Sequence, residues 1–178
     1  MKGYWNRPLD TAAAFRDGWF RTGDAGEICE DGTLKITDRI KDLIKTAGGK
    51  YVAPQQLETT IGADPLIEQV AVIGDGRSYV TALVVPAFEA LESWAGMSGI
   101  AFSSRQELVK NERVLDLMRR VIEERTRHLA PWERVRKFAL LAREWTVEGG
   151  GMTPTLKIRR RAAVEAQRDE VEAMYADE

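Results

Sequence analysis

One cysteine and one histidine are all that the 178 residues offer to thiolate or imidazole chemistry. Cys29 alone cannot close an internal disulfide or build a Cys-rich zinc site, which fits a reducing, cytosolic setting. His128 stands beside Leu129 and Pro131 at the end of a helical stretch, the place of a cation at a helix C-terminus. With no second histidine, no His-centred triad and no His/carboxylate metal cluster is expected, so no metal ligand is assigned. No apolar run approaches the ~18 residues that cross a bilayer, and the N-terminus carries no signal-peptide pattern. An excess of one charge is lacking too. Lys and Arg number 26 against 28 Asp and Glu, a net charge of -2, which argues against a protein that coats nucleic acid. With 44% apolar and 30% charged residues, the chain is composed like a globular one. A single domain of this size buries roughly 70% of its unfolded surface. Any chemistry must run on lysine, arginine, carboxylates, hydroxyls and backbone amides.

The stretch up to residue 37 is short and rich in turns. Residues 19–22 read as a strand and Gly23-Asp24 as a turn. Residues 27–30 and 33–36 flank Asp31-Gly32, a dipeptide that supplies the positive φ angles of a tight hairpin turn. Two or three short strands cannot stand as an independent domain, so this segment reads as the edge of something larger. Beyond Asp38 the pattern changes. Ile40, Leu43 and Ile44 form a brief apolar set, followed by a flexible loop over 46–50. Pro54 suits a helix first turn, with Leu57 and Ile61 on one face. Residues 70–73 and 79–85 flank Asp75-Gly76 as a second, buried hairpin closed by Pro86. Helices are expected over 88–94 and 112–129, the latter with Val114, Leu117, Met118, Val121 and Ile122 at three- and four-residue spacing. A strand over 137–141, a mobile loop over 148–155 with three consecutive glycines, and a terminal helix over 159–175 complete the pattern. Trp94, Trp132 and Trp145 read as packing residues. The expected class is α+β: a domain of hairpins and a short sheet packed by helices, preceded by a β-hairpin fragment.

Three segments carry chemistry. In the run Asp17-Gly-Trp-Phe-Arg-Thr-Gly-Asp24, Asp24 follows a strand and a glycine turn. Its two oxygens are placed either to accept the hydroxyls of a ribose or simply to cap the turn. In residues 36–50, alternating charges suit a solvated connection or a hinge, and Arg39 offers a planar donor fork for phosphate or ribose. In residues 149–160, Lys157 ends a glycine-rich loop as a movable point charge. The spacing Gly-x4-Gly-Lys-Ser/Thr of a nucleotide P-loop is absent. The Lys-Ile-Arg-Arg-Arg run, with no aromatic residues interleaved for base stacking, reads as a solvated helix face.

Taken in order, these segments resemble the adenylate-forming superfamily. They are Asp17-Gly-Trp-Phe-Arg-Thr-Gly-Asp24, Thr37-Asp-Arg-Ile-Lys-Asp-Leu-Ile-Lys45, Gly48-Gly-Lys-Tyr-Val-Ala-Pro54 with Glu58, and Thr153-Pro-Thr-Leu-Lys-Ile-Arg159. The Gly-Gly-Lys-Tyr-Val-Ala-Pro and Thr-Pro-Thr-Leu-Lys wordings are most similar to the long-chain fatty acyl-CoA synthetases. The run Met1-Lys-Gly-Tyr-Trp-Asn-Arg-Pro8 also resembles that family, so Met1 reads as an internal residue or an artificial start. The resemblance implies an acid–thiol ligase. A carboxylate attacks the α-phosphate of Mg-ATP to give acyl-adenylate and pyrophosphate. A small C-terminal lid then swings, and coenzyme A displaces AMP. It implies that Asp24 and Arg39 bind the nucleotide and that Lys41 is the hinge. Lys157 is catalytic in adenylation, and Gly48, Gly49 and Lys50 line the coenzyme A tunnel. The implied division is 1–37 as the last strands of the large domain, 38–45 as hinge and 46–178 as lid. The family's phosphate loop, Mg-binding glutamate and acyl tunnel belong to sequence absent here. ATP or AMP, coenzyme A and Mg would therefore serve the full enzyme, and none is expected to bind these residues tightly alone. Fatty acid, ATP and coenzyme A are the implied partners, without nucleic acid or a transmembrane segment, in the cytoplasm or peripheral at a membrane. Two further readings stay open at this point. One is a free-standing lid acting on a separate adenylating domain or an acyl carrier, or a ligase of another substrate branch. The other is an interaction domain that has lost the reaction.

Overall fold

A computed structural model describes residues 1–176, and Asp177 and Glu178, the end of the segment assigned to the lid, lie outside the described residues. The chain divides into two compact units, Met1–Leu43 and Ile44–Glu178.

The first unit is built from turns. A short helix α1 (Pro8–Ala14), with proline in its first turn, leads into a two-residue strand β1 (Phe15–Arg16), which pairs with β2 (Trp19–Phe20). The connecting Asp17-Gly18 has φ of 51° and 83°, the paired left-handed geometry of a type I′ turn. The strand expected over 19–22 is thus only two residues long, and its partner is a strand that the sequence pattern did not reveal. Next come β3 (Asp24–Ile28) and β4 (Leu34–Arg39), antiparallel across the Asp31-Gly32 turn. Asp24 opens β3 instead of lying in the preceding turn. At the hairpin tip the Thr33 hydroxyl and amide both donate to Asp31, holding its carboxyl below the usual carboxylate range. No apolar side chain of this unit is buried: Trp5 is 96% exposed, Trp19 81% and Ile28 80%. Such a segment has no hydrophobic core of its own, and its apolar surface is what a further folded domain would cover.

The second unit opens with β5 (Ile44–Lys45) and β6 (Tyr51–Val52), a small hairpin, and then α2 (Pro54–Gly62), which starts at the expected proline. Its centre is a three-stranded sheet in the order β7 (Ile67–Ile73), β8 (Val80–Pro86), β9 (Val135–Leu140). β7 and β8 are the expected antiparallel hairpin, whereas β8 and β9 run parallel. The long connection between them carries α3 (Phe88–Met97), α4 (Arg105–Leu108) and α5 (Glu112–Thr126). Caps fix the starts of α4 and α5: the side chains of Ser104 and Asn111 accept from the backbone N–H of Glu107 and Arg113. The chain ends in α6 (Arg160–Ala166) and α7 (Arg168–Tyr175). One helix was expected there. Gln167, at φ -120° and ψ 34°, breaks it without glycine or proline.

Helices cover both faces of the sheet. Val70, Val72, Val80, Ala82 and Val84 pack with Leu57 and Ile61 of α2 and Val114, Met118 and Ile122 of α5. Ala71, Leu83 and Val85 pack on the other side with Trp145, Ala163, Val171, Met174 and Tyr175. A strand buried on two faces needs apolar side chains at odd and even positions alike, which explains the unbroken runs in β7 and β8. Each large aliphatic side chain buried this way stabilises the fold by roughly 1.5–3 kcal/mol.

Tyr175 ties α7 to the sheet. Its hydroxyl lies 2.9 Å from the buried Thr81 hydroxyl and within 3.2–3.3 Å of the carbonyls of Tyr79 and Ile73. Tyr175→Phe keeps the ring and removes this node, and is expected to cost about 1–3 kcal/mol, read as a lower urea midpoint at unchanged slope.

Candidate active-site elements

The first unit brings two of the expected site residues together. Gly23, at φ 76°, turns the chain so that Asp24 enters β3 directly opposite Arg39 in β4. The Arg39 Nε lies 2.8 Å from Asp24 Oδ1, and Arg39 Nη1 donates to the Thr22 carbonyl at 3.3 Å. The Thr22 hydroxyl accepts from the Asp24 amide, and the Ile40 amide donates to the Gly23 carbonyl. Beneath them Asp38 is buried and accepts from the Arg39 amide at 2.7 Å. The result is a carboxylate and a guanidinium held by opposite strands on a short, heavily bonded turn. A charged cross-strand pair of this kind contributes only about 0.2–1 kcal/mol to a sheet. Chemically, such a pair can present acceptors and donors together to polyol or phosphate oxygens.

Lys41 sits in the exposed turn after β4, where the amides of Asp42 and Leu43 both donate to the Arg39 carbonyl. The division between the two compact units falls between Leu43 and Ile44.

Gly48, Gly49 and Lys50 belong to the β5–β6 turn, and the loop expected to be flexible is closed by hydrogen bonds. Thr46 N donates to the Lys50 carbonyl, Gly49 N to the Thr46 carbonyl, and Lys50 N to the Thr46 hydroxyl. Gly49, at φ 74°, takes the left-handed position that a side chain would strain. The turn is also clamped to the β7–β8 connection: Ala47 N donates to the Arg77 carbonyl, Gly76 N to the Lys45 carbonyl, and Lys45 N to the Asp75 carboxylate. The Lys50 ammonium lies 4.9 Å from the centre of the Trp132 ring. Trp132 is 46% exposed, so it is a surface aromatic over which a cation rests and not the packing residue expected.

Lys157 lies in the loop between β9 and α6, and the loop expected to be mobile carries hydrogen bonds of its own. Gly150 N donates to the Val147 carbonyl and Met152 N to the Thr146 carbonyl, and Met152 and Ile158 form an isolated antiparallel bridge. Inside it, Thr153 N donates to the Lys157 carbonyl and Lys157 N to the Thr153 hydroxyl. Leu156, at φ 60°, takes a conformation costly for a branched residue, immediately before the lysine. The side chain does the opposite of the backbone. It is exposed, and its ammonium has no hydrogen-bond or ion-pair partner among the described residues. Three residues on, Arg160 at the start of α6 pairs with Glu58 of α2 at 2.7 Å, and the same Glu58 oxygen accepts from the Val72 amide at 2.9 Å. Glu58 was legible in the motif. The role of Arg160 was hidden in a basic run read as a solvated face, and the apolar alanine stripe of α6 behind it was the available signal.

Among the described residues no cluster of three or more His, Cys, Asp or Glu is arranged to hold a metal ion, and no helix is long and apolar enough to cross a membrane. What the residues present do offer is an exposed cation on a hydrogen-bonded loop and an Asp–Arg pair on a hydrogen-bonded turn.

The fold and these elements define a lid-type domain of adenylate-forming enzymes. The family model described as AMP-binding enzyme C-terminal domain matches residues 41–178, and the chain belongs to that family. It is 38% identical over 179 residues to the long-chain-fatty-acid--CoA ligase FadD15 of Mycobacterium tuberculosis, covering 100% of this chain and 30% of that protein. Among solved structures it matches the adenylation domain of the carboxylate reductase from Mycobacterium chelonae, at 32% identity and TM-score 0.75, over 98% of this chain and 26% of that one. The corresponding domain from Segniliparus rugosus, in complex with AMP and a co-purified carboxylic acid, matches at 29% identity and TM-score 0.75, with the same coverage. The chain thus spans about a third of the length of the relatives it matches.

Glu58→Ala removes the acceptor of both Arg160 and the buried Val72 amide, so a loss of about 2–3 kcal/mol is expected. Glu58→Gln, which can still accept from Val72, should lose about half of that. Urea unfolding of the two variants, monitored by far-UV circular dichroism, distinguishes them.

Proposed function

We propose that this chain is the lid and the adjoining edge of the large domain of a fatty acyl-CoA ligase. The ligase forms an acyl-adenylate from a carboxylate and ATP, then passes the acyl group to coenzyme A. The observation that carries the reading is the Lys157 side chain: a free ammonium on a rigid, hydrogen-bonded loop, in a chain whose family is that of AMP-binding enzymes.

The chemistry follows from charge. Attack of a carboxylate on the α-phosphate brings two anions together and piles negative charge on the oxygens around one phosphorus. A cation already in place stabilises that arrangement without reorganising at the moment of reaction. Lys157 would bridge the carboxylate and the α-phosphate, and Asp24 and Arg39 would accept from and donate to the nucleotide's ribose. Thioester formation needs the opposite, because a thiol must approach along the path the lysine filled. Since its own loop is stiff, Lys157 leaves by movement of the whole lid, with Lys41 as pivot. The turn bearing Gly48, Gly49 and Lys50 would then line the pantetheine path. Binding of the nucleotide and of Mg would rest chiefly on a large domain, which the bare apolar surface of the first unit is suited to join. The setting is the cytoplasm or the surface of a membrane. The likeness to carboxylate reductase adenylation domains favours, as a second reading, an acceptor thiol borne by a carrier protein. Supplying coenzyme A and a pantetheinylated carrier separately, and asking which one releases AMP, decides between them.

These roles are tested in a chimera in which the 178 residues replace the matching segment of the Mycobacterium tuberculosis ligase. Lys157→Ala should lower acid-dependent ATP–pyrophosphate exchange by about 10²–10³-fold. Thioester formation from supplied acyl-adenylate should stay within twofold. Equal loss in both steps contradicts the assignment. Lys41→Pro fixes φ at the pivot and should stall the lid, so that the two half-reactions no longer both proceed. Both remaining intact places the pivot elsewhere. The 178 residues alone should show no ATP–pyrophosphate exchange.

A further inference from the structure

β7 breaks its alternation once. Its register against β8 slips between Ile67 and Gln69, where one residue is inserted as a bulge. A bulge re-aims the side chains on either side of it. The slip places Ile67 with Val70 and Val72 in the core shared with α2 and α5, and Gln69, in phase with Ala71, faces the opposite side, toward Trp145. Next to the apolar run from Val70 to Ile73, Gln69 thus presents one amide on the face of the sheet that Trp145 covers.

That amide makes two bonds to a single backbone residue. Gln69 Nε2 donates to the Trp145 carbonyl at 3.0 Å, and the Trp145 amide donates to Gln69 Oε1 at 2.8 Å. Gln69 Nε2 also lies 3.5 Å from the sulfur of Met152. Both partners belong to the segment that carries Lys157. The Trp145 side chain in turn forms a wall against Gly151: a Cβ there would lie 2.9 Å from the Trp145 Cβ and Cδ1, so no side chain fits without moving the loop. The indole is buried in the core on this face of the sheet, with no partner for its N–H among the described residues. From Gly151 the path is short. Its carbonyl accepts from Arg159 N, and Met152 bridges to Ile158 on either side of the Thr153–Lys157 bonds.

We propose that Gln69 is a positioning residue for Lys157. Its amide, acting through Trp145 and the Gly151–Met152 backbone, fixes the loop against the sheet and so sets where the ammonium stands. This rests on the adenylation role of Lys157 given above. The pattern of contacts supports it: one amide both donates to and accepts from Trp145 and also reaches the Met152 sulfur, so it holds the loop at two points of its root. An ammonium misplaced by about an ångström can forfeit up to 10²-fold in rate, so a remote brace has kinetic weight.

The test has two arms. In the 178-residue chain, Gln69→Met keeps side-chain length and removes both bonds. Amide hydrogen exchange over residues 146–158 should speed up at least tenfold, while exchange in β8 and α5 stays as in the parent chain. Gly151→Ala, which displaces the loop without touching Gln69, should do the same. Exchange that is unchanged over 146–158, or that rises equally in β8 and α5, overturns the brace, since the latter is merely lost stability.

In the chimera, Gln69→Met should lower kcat for adenylation about 10–100-fold, with KM for ATP within twofold and thioester formation unchanged. In a Lys157→Ala background it should cost nothing further. Adenylation that survives Lys157→Ala overturns the role of that lysine, and the inference with it. Adenylation lost in Lys157→Ala but intact in Gln69→Met, or a further loss in the double variant, overturns the inference alone.

Discussion

A cation that assists charge build-up on a phosphate must be held in place yet left without a partner, and the surroundings of Lys157 meet both conditions at once. A free ammonium on a slack loop would lose its advantage to entropy, and a fixed one in an ion pair would already be neutralised. Here the backbone on both sides of the lysine is closed by hydrogen bonds to Thr153, Gly151 and Thr146, and the side chain has none among the described residues. The ordering is done during folding, by groups that never meet substrate.

The layered second unit makes this possible. A sheet of three strands with helices on both faces supplies a base, and the site elements of this unit are bonded to it at their roots. The β5–β6 turn is clamped to the β7–β8 connection, Arg160 to Glu58 and through it to β7, and Trp145 to Gln69. In the proposed reaction, the change from one half-reaction to the next is then a movement of the lid as one body, which the short connection around Lys41 is suited to allow.

Much of this was legible in the chain. Asp-Gly dipeptides marked the turns of β3–β4 and β7–β8, Pro54 marked the start of α2, and three- and four-residue spacing marked the buried face of α5. The motif words identified the family and Asp24, Arg39 and Lys157 as residues of interest. The failures share one cause. Glycine-rich composition over 46–50 and 148–155 suggested mobility, but what holds those loops comes from Arg77, Asp75 and Gln69, distant in sequence. The parallel pairing of β8 with β9 is hidden for the same reason, three helices intervening. The direct Asp24–Arg39 pair follows from a register that a bulge at Ala25/Gly26 shifts, so counting residues from the turn misses it.

The most direct measurement is the reactivity of the Lys157 amine itself. In the chimera with the mycobacterial ligase, brief acylation by an amine-selective reagent, read by mass spectrometry, reports whether the ammonium is engaged. The account predicts strong protection when a fatty acid and a non-hydrolysable ATP analogue are present, and full reactivity with AMP and coenzyme A. Equal reactivity in the two states would contradict it.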